Sequence, residues 1–242
     1  MDHALYKQLA CYYDLIYSRK DYKGESVRLR ELIQKNVQST GKSVLEIACG
    51  TGRYLEHLEK QYSCTGIDLN PAMLRIARKR LTRTKLKQGD MRTVDVGLQF
   101  DVVLCLFSSI ANLKNGKDLR QTMRNLSNHM NPGGLLILGP WLHPGEFKPT
   151  GPRLFTYDSP DLKVARIDVP KLRGNKGILD FHWLIAEKGK RVKYISGDYH
   201  ELTMFSSEQY LESMRRAGLK PRFLKADQSA GGPLYLAIKT PI

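Results

Sequence analysis

Residues 44–52, Val-Leu-Glu-Ile-Ala-Cys-Gly-Thr-Gly, hold the most informative chemistry in this chain. A short apolar run carrying one acid, Glu46, ends in a loop with Gly50 and Gly52, and an amphipathic helix pattern begins at Tyr54. Glycines let a backbone approach a ligand closely, and the N-terminus of the following helix offers free N–H groups. The pattern predicts a nucleotide-type binding loop, which both dinucleotides and S-adenosylmethionine (SAM) use.

Two details of the loop favour SAM over a dinucleotide. The dinucleotide fingerprint has a third glycine where this chain has Leu55. A pyrophosphate is repelled by an acid beneath the loop, whereas a sulfonium ligand with an ammonium group tolerates Glu46 or uses it. A tight strand-to-helix turn without any ligand is the alternative explanation of the glycines.

The second predicted strand, residues 64–67, ends at an acid, Asp68. An acid in this place can accept hydrogen bonds from both ribose hydroxyls of an adenosine. Capping of the next helix is the alternative role, but Asn70 is a better N-cap and Pro71 a good first helical residue. Asp68 is therefore predicted to bind the ribose.

Two further strand ends extend the predicted site. Asp90 follows the strand 85–88 and can accept a hydrogen bond from an adenine amino group, while Met91 can pack on the ring. Residues 100–106 form a near-continuous apolar run, as expected of a buried parallel strand. Ligands bind beyond the carboxyl ends of parallel strands, so these features are predicted to share one site with Asp68 and the glycine loop.

These motifs resemble the successive motifs of class I SAM-dependent methyltransferases, over most of the chain. A narrower group is also similar, the N-methyltransferases of nucleotide-linked deoxyaminosugars such as the desosamine and mycaminose enzymes. The residues that carry this second resemblance are Tyr13-Asp14, Lys20-Asp21-Tyr22, Gly89-Asp90-Met91-Arg92, Phe107-Ser108-Ser109-Ile110, Pro140-Trp141, Leu202-Thr203-Met204-Phe205 and Ala217-Gly218-Leu219. The chain departs from that group at Asn112, Gly139 and Leu142, where the group favours an aromatic or histidine side chain, an acid and a second tryptophan.

The resemblance implies a set of cofactor-binding residues around the strand ends. They are Tyr13, Tyr22, Glu46, Ala48, Cys49, Gly50, Thr51, Gly52, Asp68, Leu69, Met73, Asp90, Met91, Leu106 and Phe107. Trp141 and His143 are predicted to contact the acceptor, and Tyr6, Asn112, His182 and His200 are candidates near the reacting centre. A single histidine is more often structural than catalytic, and no metal site is predicted.

The order of the predicted elements gives the fold class. Strands alternate with helices from residue 44 to 139, which predicts a Rossmann-like α/β fold with a mostly parallel sheet; the resemblance implies seven strands with helices on both faces. Residues 131–134 are predicted to be a turn before the fifth strand. Residues 150–205, the lobe, are predicted to be an inserted antiparallel sheet, and residues 206–242 to return to the main sheet. Residues 1–22, the leader, are rich in tyrosine and are expected from the resemblance to form a lid. The whole chain is predicted to be a single domain.

Composition favours a soluble, cytoplasmic enzyme. No apolar stretch reaches the roughly 18 residues of a membrane span, and the N-terminus lacks the order of a secretion signal. Four cysteines without a Cys-x-x-Cys pair suit a reducing compartment. The formal net charge is +15, with a dense basic run at residues 75–92. A solvated face, an anionic small substrate and a nucleic acid each account for that charge, in falling order of preference.

The leading prediction is SAM-dependent N-methylation of a small acceptor, for which a nucleotide-linked aminosugar is a candidate. The alternatives are a nucleic-acid or protein methyltransferase that uses the basic surface, and a SAM-binding protein without catalysis. The sequence leaves a homodimer open.

Overall fold

The computed structural model describes residues 3–227 and 232–240. Its helices and strands follow the order α1 (Ala10–Ile16), α2 (Tyr22–Asn36), β1 (Ser43–Ile47), α3 (Leu55–Leu58), β2 (Ser63–Asp68), α4 (Pro71–Arg80), β3 (Lys85–Gln88), β4 (Phe100–Cys105), α5 (Gly116–Asn128), β5 (Met130–Leu138), β6 (Arg153–Asp158), β7 (Leu162–Asp168), β8 (Lys171–Arg173), β9 (Lys176–Glu187), β10 (Lys193–Thr203), α6 (Ser207–Arg216), β11 (Leu219–Asp227) and β12 (Gly232–Lys239). Short 3₁₀ turns at Ala4–Tyr6 and Ser109–Asn112 complete the pattern. None of the helices in this part of the chain has the length and apolar character needed to cross a bilayer.

The main sheet has seven strands in the order β11-β12-β5-β4-β1-β2-β3. The five strands β1 to β5 pair in parallel. Strand β12 runs antiparallel to both β5 and β11. The predicted mostly parallel seven-stranded sheet is confirmed, and its reversal at β1 and β4 brings the strand ends with the glycine loop and Asp68 to one edge.

Helices cover both faces of this sheet because successive strand residues point to opposite sides. Leu45 and Val103 face one core, together with the apolar side chains of α5 and α6. Val44 and Val102, each one residue earlier, face the other core, together with α2, α3 and α4. Both sides of β4 are buried, which is why residues 100–105 are almost all apolar.

The lobe forms a second, antiparallel sheet in the order β10-β9-β7-β6, and β8 pairs with β9. Its inner face carries a third apolar core built around Phe181 and Trp183, which is fully buried. Leu5, Leu9 and Ile16 of the leader pack into that same core. The leader is therefore held against the lobe by apolar burial, the dominant favourable contribution to such packing.

One predicted connection differs from the structure. Residues 131–134 are not a turn before the fifth strand but lie inside β5, which begins at Met130. The pairing with β4 shifts register between the pairs at Phe100 and Val102, so the strand bulges there instead of ending. Gly133 has a φ of +75° in this bulge, and its carbonyl accepts the backbone N–H groups of Gln38 and Ser39.

Candidate active site

A cavity of about 530 Å³ lies where the carboxyl ends of the parallel strands face the lobe. The strand ends contribute side chains and backbone at Ala48, Gly50, Asp68 and Asp90. The leader contributes His3, Tyr6, Tyr13 and Tyr17, and the lobe contributes Arg153, Phe155, Arg166, Leu179, Phe181 and Leu202. One continuous cavity thus joins the predicted cofactor edge to the lobe.

The glycine loop needs its glycines for both backbone and packing reasons. Gly50 and Gly52 have φ values of +56° and +78°, in the left-handed region that favours glycine. A Cβ on Gly52 would lie 2.7 Å from the Leu81 side chain, so this residue also permits close packing below the loop. The loop can therefore present its backbone to a ligand at short range.

Three non-glycine residues with positive φ, Ala48, Phe107 and Ser108, all line the cavity. Their φ values are 57°, 50° and 63°. L-residues hold this conformation at some energetic cost, and such positions concentrate at binding sites. Residues 107 and 108 come two and three positions after the end of β4, and Ala48 directly follows β1, so the loops after both central strands carry strained backbone that faces the cavity.

Asp68 ties the second strand end to the glycine loop. Its Oδ2 accepts the Gly50 N–H at 2.8 Å, and its Oδ1 accepts the Asn70 N–H at 2.8 Å. Burial raises the pKa of Asp68, while these backbone hydrogen bonds oppose the rise. Each oxygen keeps a lone pair for a further donor, and Asp68 lines the cavity, so it can accept ribose hydroxyls while holding the loop.

Glu46 lies beneath the loop and does not line the cavity. Its side chain is 2% exposed, and its Oε2 has no hydrogen-bond partner within the described ranges. Burial and the nearby Asp68 raise the pKa of Glu46 well above its usual range. Burial likewise raises the pKa of the Cys49 thiol, which keeps it protonated and unsuited to nucleophilic attack.

The acid on the cavity wall, Asp68, fits a cationic ligand. No lysine or arginine among the residues that the structure describes forms an ion pair with Asp68. A pyrophosphate would meet this carboxyl group without a compensating base, whereas the hydroxyl, sulfonium and ammonium groups of SAM are compatible with it. The residues present therefore fit SAM.

Asp90 is engaged by a neighbouring arginine. Its carboxylate accepts from the Arg92 Nε at 3.0 Å and from Nη2 at 2.6 Å. This side-chain hydrogen bonding lowers the pKa of Asp90 and keeps it charged. Asp90 lines the cavity together with Met91, as an adenine pocket requires, and Arg92 also reaches toward Asp118 at 3.7 Å.

The leader places a row of aromatic rings along the cavity. The ring centroids of Tyr6 and Tyr13 are 6.1 Å apart, those of Tyr13 and Tyr17 are 4.9 Å apart, and Tyr17 meets Phe107 at 5.3 Å. Burial raises the pKa of both Tyr6 and Tyr13, so their hydroxyls stay protonated and act as donors. Tyr22 packs against the Phe107 ring outside the cavity.

The leader is also tied to the glycine loop by polar contacts. Asp14 accepts a hydrogen bond from the Thr51 hydroxyl at 2.7 Å and forms an ion pair with Arg80. Arg80 donates in turn to the Thr51 carbonyl. Asp14 therefore joins α1, the glycine loop and α4 in one network.

A second polar network anchors the start of the leader to the lobe. Asp198 is fully buried and accepts from the Leu5 N–H at 3.2 Å, the Trp183 Nε1–H at 3.1 Å and the His200 Nε2–H at 3.0 Å. Burial pushes the pKa of Asp198 upward, but these bonds outweigh it and leave the pKa lowered. The His3 ring stacks on His200 with centroids 4.1 Å apart.

The ligand atoms of His3, Asp198 and His200 lie within 4.8 Å of one another, as they would in a metal site. The two imidazoles are stacked at an interplanar angle of 13°, so their in-plane lone pairs run side by side and do not converge. Asp198 already accepts hydrogen bonds from three N–H donors. We assign this cluster to anchoring of the leader.

Leader docking is expected to weaken as the pH falls from about 6.5 toward 4. Burial and the adjacent His200 lower the pKa of His3 to about 4, against an ordinary value of 6.5. Between these values the undocked leader binds a proton that the docked leader does not, so acid favours undocking. The rate of hydrogen exchange in the leader, corrected for the intrinsic pH dependence of exchange, should rise as the pH falls over this range. In His3→Gln, where the side chain faces the same His200, Asp198 and Tyr6, the corrected rate should depend less on pH. An unchanged profile in the variant would contradict this role of His3.

The structure brings many predicted site residues together on the cavity wall. They are Tyr6, Tyr13, Ala48, Gly50, Asp68, Leu69, Met73, Asp90, Met91, Phe107, Asn112 and Trp141. Tyr22, Glu46, Cys49, Thr51, Gly52, Leu106, His143, His182 and His200 lie outside the lining. Among the latter, Glu46, Cys49, Thr51 and Gly52 belong to the loop or its base, so they shape it without facing the cavity.

The three predicted histidines are placed differently from expectation. His182 lies on the opposite face of the lobe sheet from Phe181 and Trp183, where its Nδ1 meets the Tyr194 hydroxyl at 2.6 Å. His143 bonds to the Tyr235 hydroxyl at 2.8 Å, away from the cavity lining. His200 lies behind Tyr6 in the anchoring network. None of the three is retained as a catalytic or acceptor-contacting residue.

Several cavity residues were missed from the sequence. They are His3, Tyr17, Arg92, Arg153, Phe155, Arg166, Leu179, Phe181 and Leu202. A signal existed for Arg166, because it alternates with Val164 on the inward side of β7, where an apolar residue is expected. The other lobe residues are of types that are common in β-strands, so the sequence did not mark them as site residues.

Comparison with known proteins agrees with this geometry. A family model described as a methyltransferase domain matches residues 44–134. The dTDP-3-amino-3,4,6-trideoxy-alpha-D-glucopyranose N,N-dimethyltransferase of Streptomyces venezuelae is 34% identical over 223 residues, which are 91% of this chain and 93% of the relative. The crystal structure of Streptomyces venezuelae DesVI matches with a TM-score of 0.87 at 32% identity, over 96% of this chain and 98% of that chain.

A further structural match contains the cofactor. SAM-bound CalS10, an amino pentose methyltransferase from Micromonospora echinaspora, matches with a TM-score of 0.80 at 30% identity, over 91% of this chain and 92% of that chain. Fold and site together define a class I SAM-dependent methyltransferase. Within that class, the chain belongs to the family of sugar N-methyltransferases that these relatives represent.

Proposed function

We propose that the chain transfers methyl groups from SAM to the amino group of a nucleotide-linked deoxyaminosugar. The observation that carries this proposal is the single cavity that joins the glycine loop to the lobe, with the leader packed along it. A cavity of this size, lined on several sides, suits a small acceptor. Three similar enzymes are N,N-dimethyltransferases of dTDP-linked aminosugars.

The chain's own residues account for binding and alignment in this proposal. Gly50, Asp68, Asp90 and Met91 would hold SAM, which supplies an electrophilic methyl group on a sulfonium sulfur. Tyr13 and Phe107 would lie beside the reacting atoms, because both line the cavity, Tyr13 from the leader and Phe107 from the end of β4. Methyl transfer is an in-line displacement, so alignment and exclusion of water supply most of the acceleration.

The remaining chemical requirement is that the acceptor amine be unprotonated. An amine attacks only in its neutral form, and the protonated Tyr6 and Tyr13 hydroxyls cannot serve as bases at neutral pH. They can donate hydrogen bonds that orient the acceptor. The proposed reaction therefore depends on positioning of an amine that arrives already neutral.

The test uses the purified chain with SAM and dTDP-3-amino-3,4,6-trideoxy-glucopyranose. Mass spectrometry should detect one or two added methyl groups on the sugar. The same sugar with a hydroxyl in place of the amine is the matched control and should gain none. Binding of SAM without methylation of the aminosugar would refute the proposed acceptor, whereas failure to bind SAM would refute the cofactor site itself.

The basic run at residues 75–92 is partly committed to contacts within the protein. Arg80 is held by Asp14 and Thr51, and Arg92 pairs with Asp90. Basic side chains at the end of α4 are also favoured by the helix dipole. Part of this charge is therefore used within the protein, and we do not extend the proposal to a nucleic acid.

A further inference from the structure

Arg166 is a buried cation on the wall of the cavity. It lies in β7 of the lobe, is 2% exposed and lines the same space as Asp68 and the leader tyrosines. A guanidinium stays protonated in proteins, so burial cannot be relieved by loss of a proton. Its charge has to be compensated by neighbouring groups.

The neighbours of Arg166 are aromatic and neutral. Its guanidinium lies 4.0 Å from the Phe155 ring centroid and 4.2 Å from that of Phe181, and its Nη1 donates to the Tyr17 hydroxyl at 3.0 Å. Among the side chains that the structure describes, none is a hydrogen-bond partner of its Nε, and no carboxylate forms an ion pair with its guanidinium. The two rings attract the cation but supply no negative charge.

The other arginines of the cavity differ in this respect. Arg92 pairs with Asp90, and Arg153 pairs with the buried Asp168, whose Oδ2 accepts its Nε–H at 2.9 Å. Both of those charges are therefore neutralised by the protein. Arg166 is left as a fixed, desolvated cation, and a buried charge without a counter-ion is costly.

We propose that Arg166 binds an anionic group of the acceptor, a phosphate or a carboxylate, through charge-assisted hydrogen bonds. This inference rests on the proposed function, in which the acceptor carries a diphosphate. Two rings and the Tyr17 hydroxyl hold the guanidinium on the cavity wall, and a guanidinium held in this way can bind an oxyanion through N–H groups that the protein does not use. Arg166 thereby becomes a residue that selects acidic acceptors.

The test measures binding and not turnover, so that it is independent of the proposed reaction. Titration calorimetry with SAM-saturated protein compares dTDP, thymidine and glucuronate on the wild type and on Arg166→Met. If the anion is a phosphate, the variant should bind dTDP at least about tenfold more weakly, with little change for thymidine. If it is a carboxylate, the loss should appear with glucuronate instead. Equal affinities of both proteins for dTDP and for glucuronate would overturn the proposal.

Arg173→Met is the matched control, because it removes an exposed arginine of the lobe that pairs with Glu201 and does not line the cavity. It should keep the affinity for the anionic probe within about twofold of the wild type. Arg166→Lys retains the positive charge and should recover part of the affinity that Arg166→Met loses. This variant keeps the proposal testable if Arg166→Met misfolds. If Arg173→Met and Arg166→Met lower the affinity equally, the loss of positive charge anywhere on the lobe accounts for the effect and the proposal fails.

Discussion

Replacing Asp68 by alanine should weaken SAM binding by at least about 100-fold. Two hydrogen bonds from ribose hydroxyls to a carboxylate are lost, each worth about 1.5–3 kcal/mol, and every 1.4 kcal/mol changes affinity about tenfold. The Gly50 and Asn70 N–H groups also lose their acceptor, so the loop is expected to loosen as well. Calorimetric titration with SAM measures the change.

Asp101 offers a matched control for that variant. It is also a buried aspartate on a strand of the main sheet, and its Oδ2 accepts the Ser43 N–H at 2.9 Å, but it does not line the cavity. Asp101→Ala should lower the melting temperature while leaving the SAM affinity of the folded protein nearly unchanged. Unchanged SAM affinity in Asp68→Ala would contradict the assignment of the ribose site.

Replacing Asp14 by alanine should weaken SAM binding about tenfold and loosen the leader. The variant loses the hydrogen bond from Thr51 and the ion pair with Arg80, both of which are partly shielded from water. Partly buried charge-assisted contacts of this kind contribute on the order of 1–3 kcal/mol together. Hydrogen exchange should increase in residues 3–17 and in the glycine loop.

A surface ion pair provides the comparison for Asp14. Glu212 pairs with Arg216 one turn later on α6, at an exposed position. Exposed pairs of this type contribute little, so Glu212→Ala should leave both SAM affinity and leader exchange unaltered. Equal behaviour of the two variants would show that Asp14 does not hold the leader over the loop.

The cofactor edge was predictable from the sequence because its signals are local. Glycines after an apolar run and an acid at the next strand end, Asp68, are set by neighbouring residues along the chain. The structure places Gly50, Asp68 and Asp90 on one cavity, since parallel strands deliver their carboxyl ends to one edge.

The acceptor half was less predictable because it depends on the register and facing of the lobe strands. His182 was considered alongside His200, but successive strand residues face opposite sides, and Phe181 occupies the inner face instead. The proposed role of Arg166 follows from its contacts with Phe155 and Tyr17, which lie 11 and 149 positions away in the chain. Such contacts are set by tertiary packing and leave no local motif.

The most direct test of the central claim uses SAM carrying a labelled methyl group. The purified chain is incubated with this SAM and an extract of its source cells, which is then separated into small molecules, RNA and protein. The account predicts label in the small-molecule fraction, on a compound with a methylated amine, and loss of that label with Asp68→Ala. Label confined to RNA or protein would contradict the account and would make the basic surface, not the cavity, the guide to the acceptor.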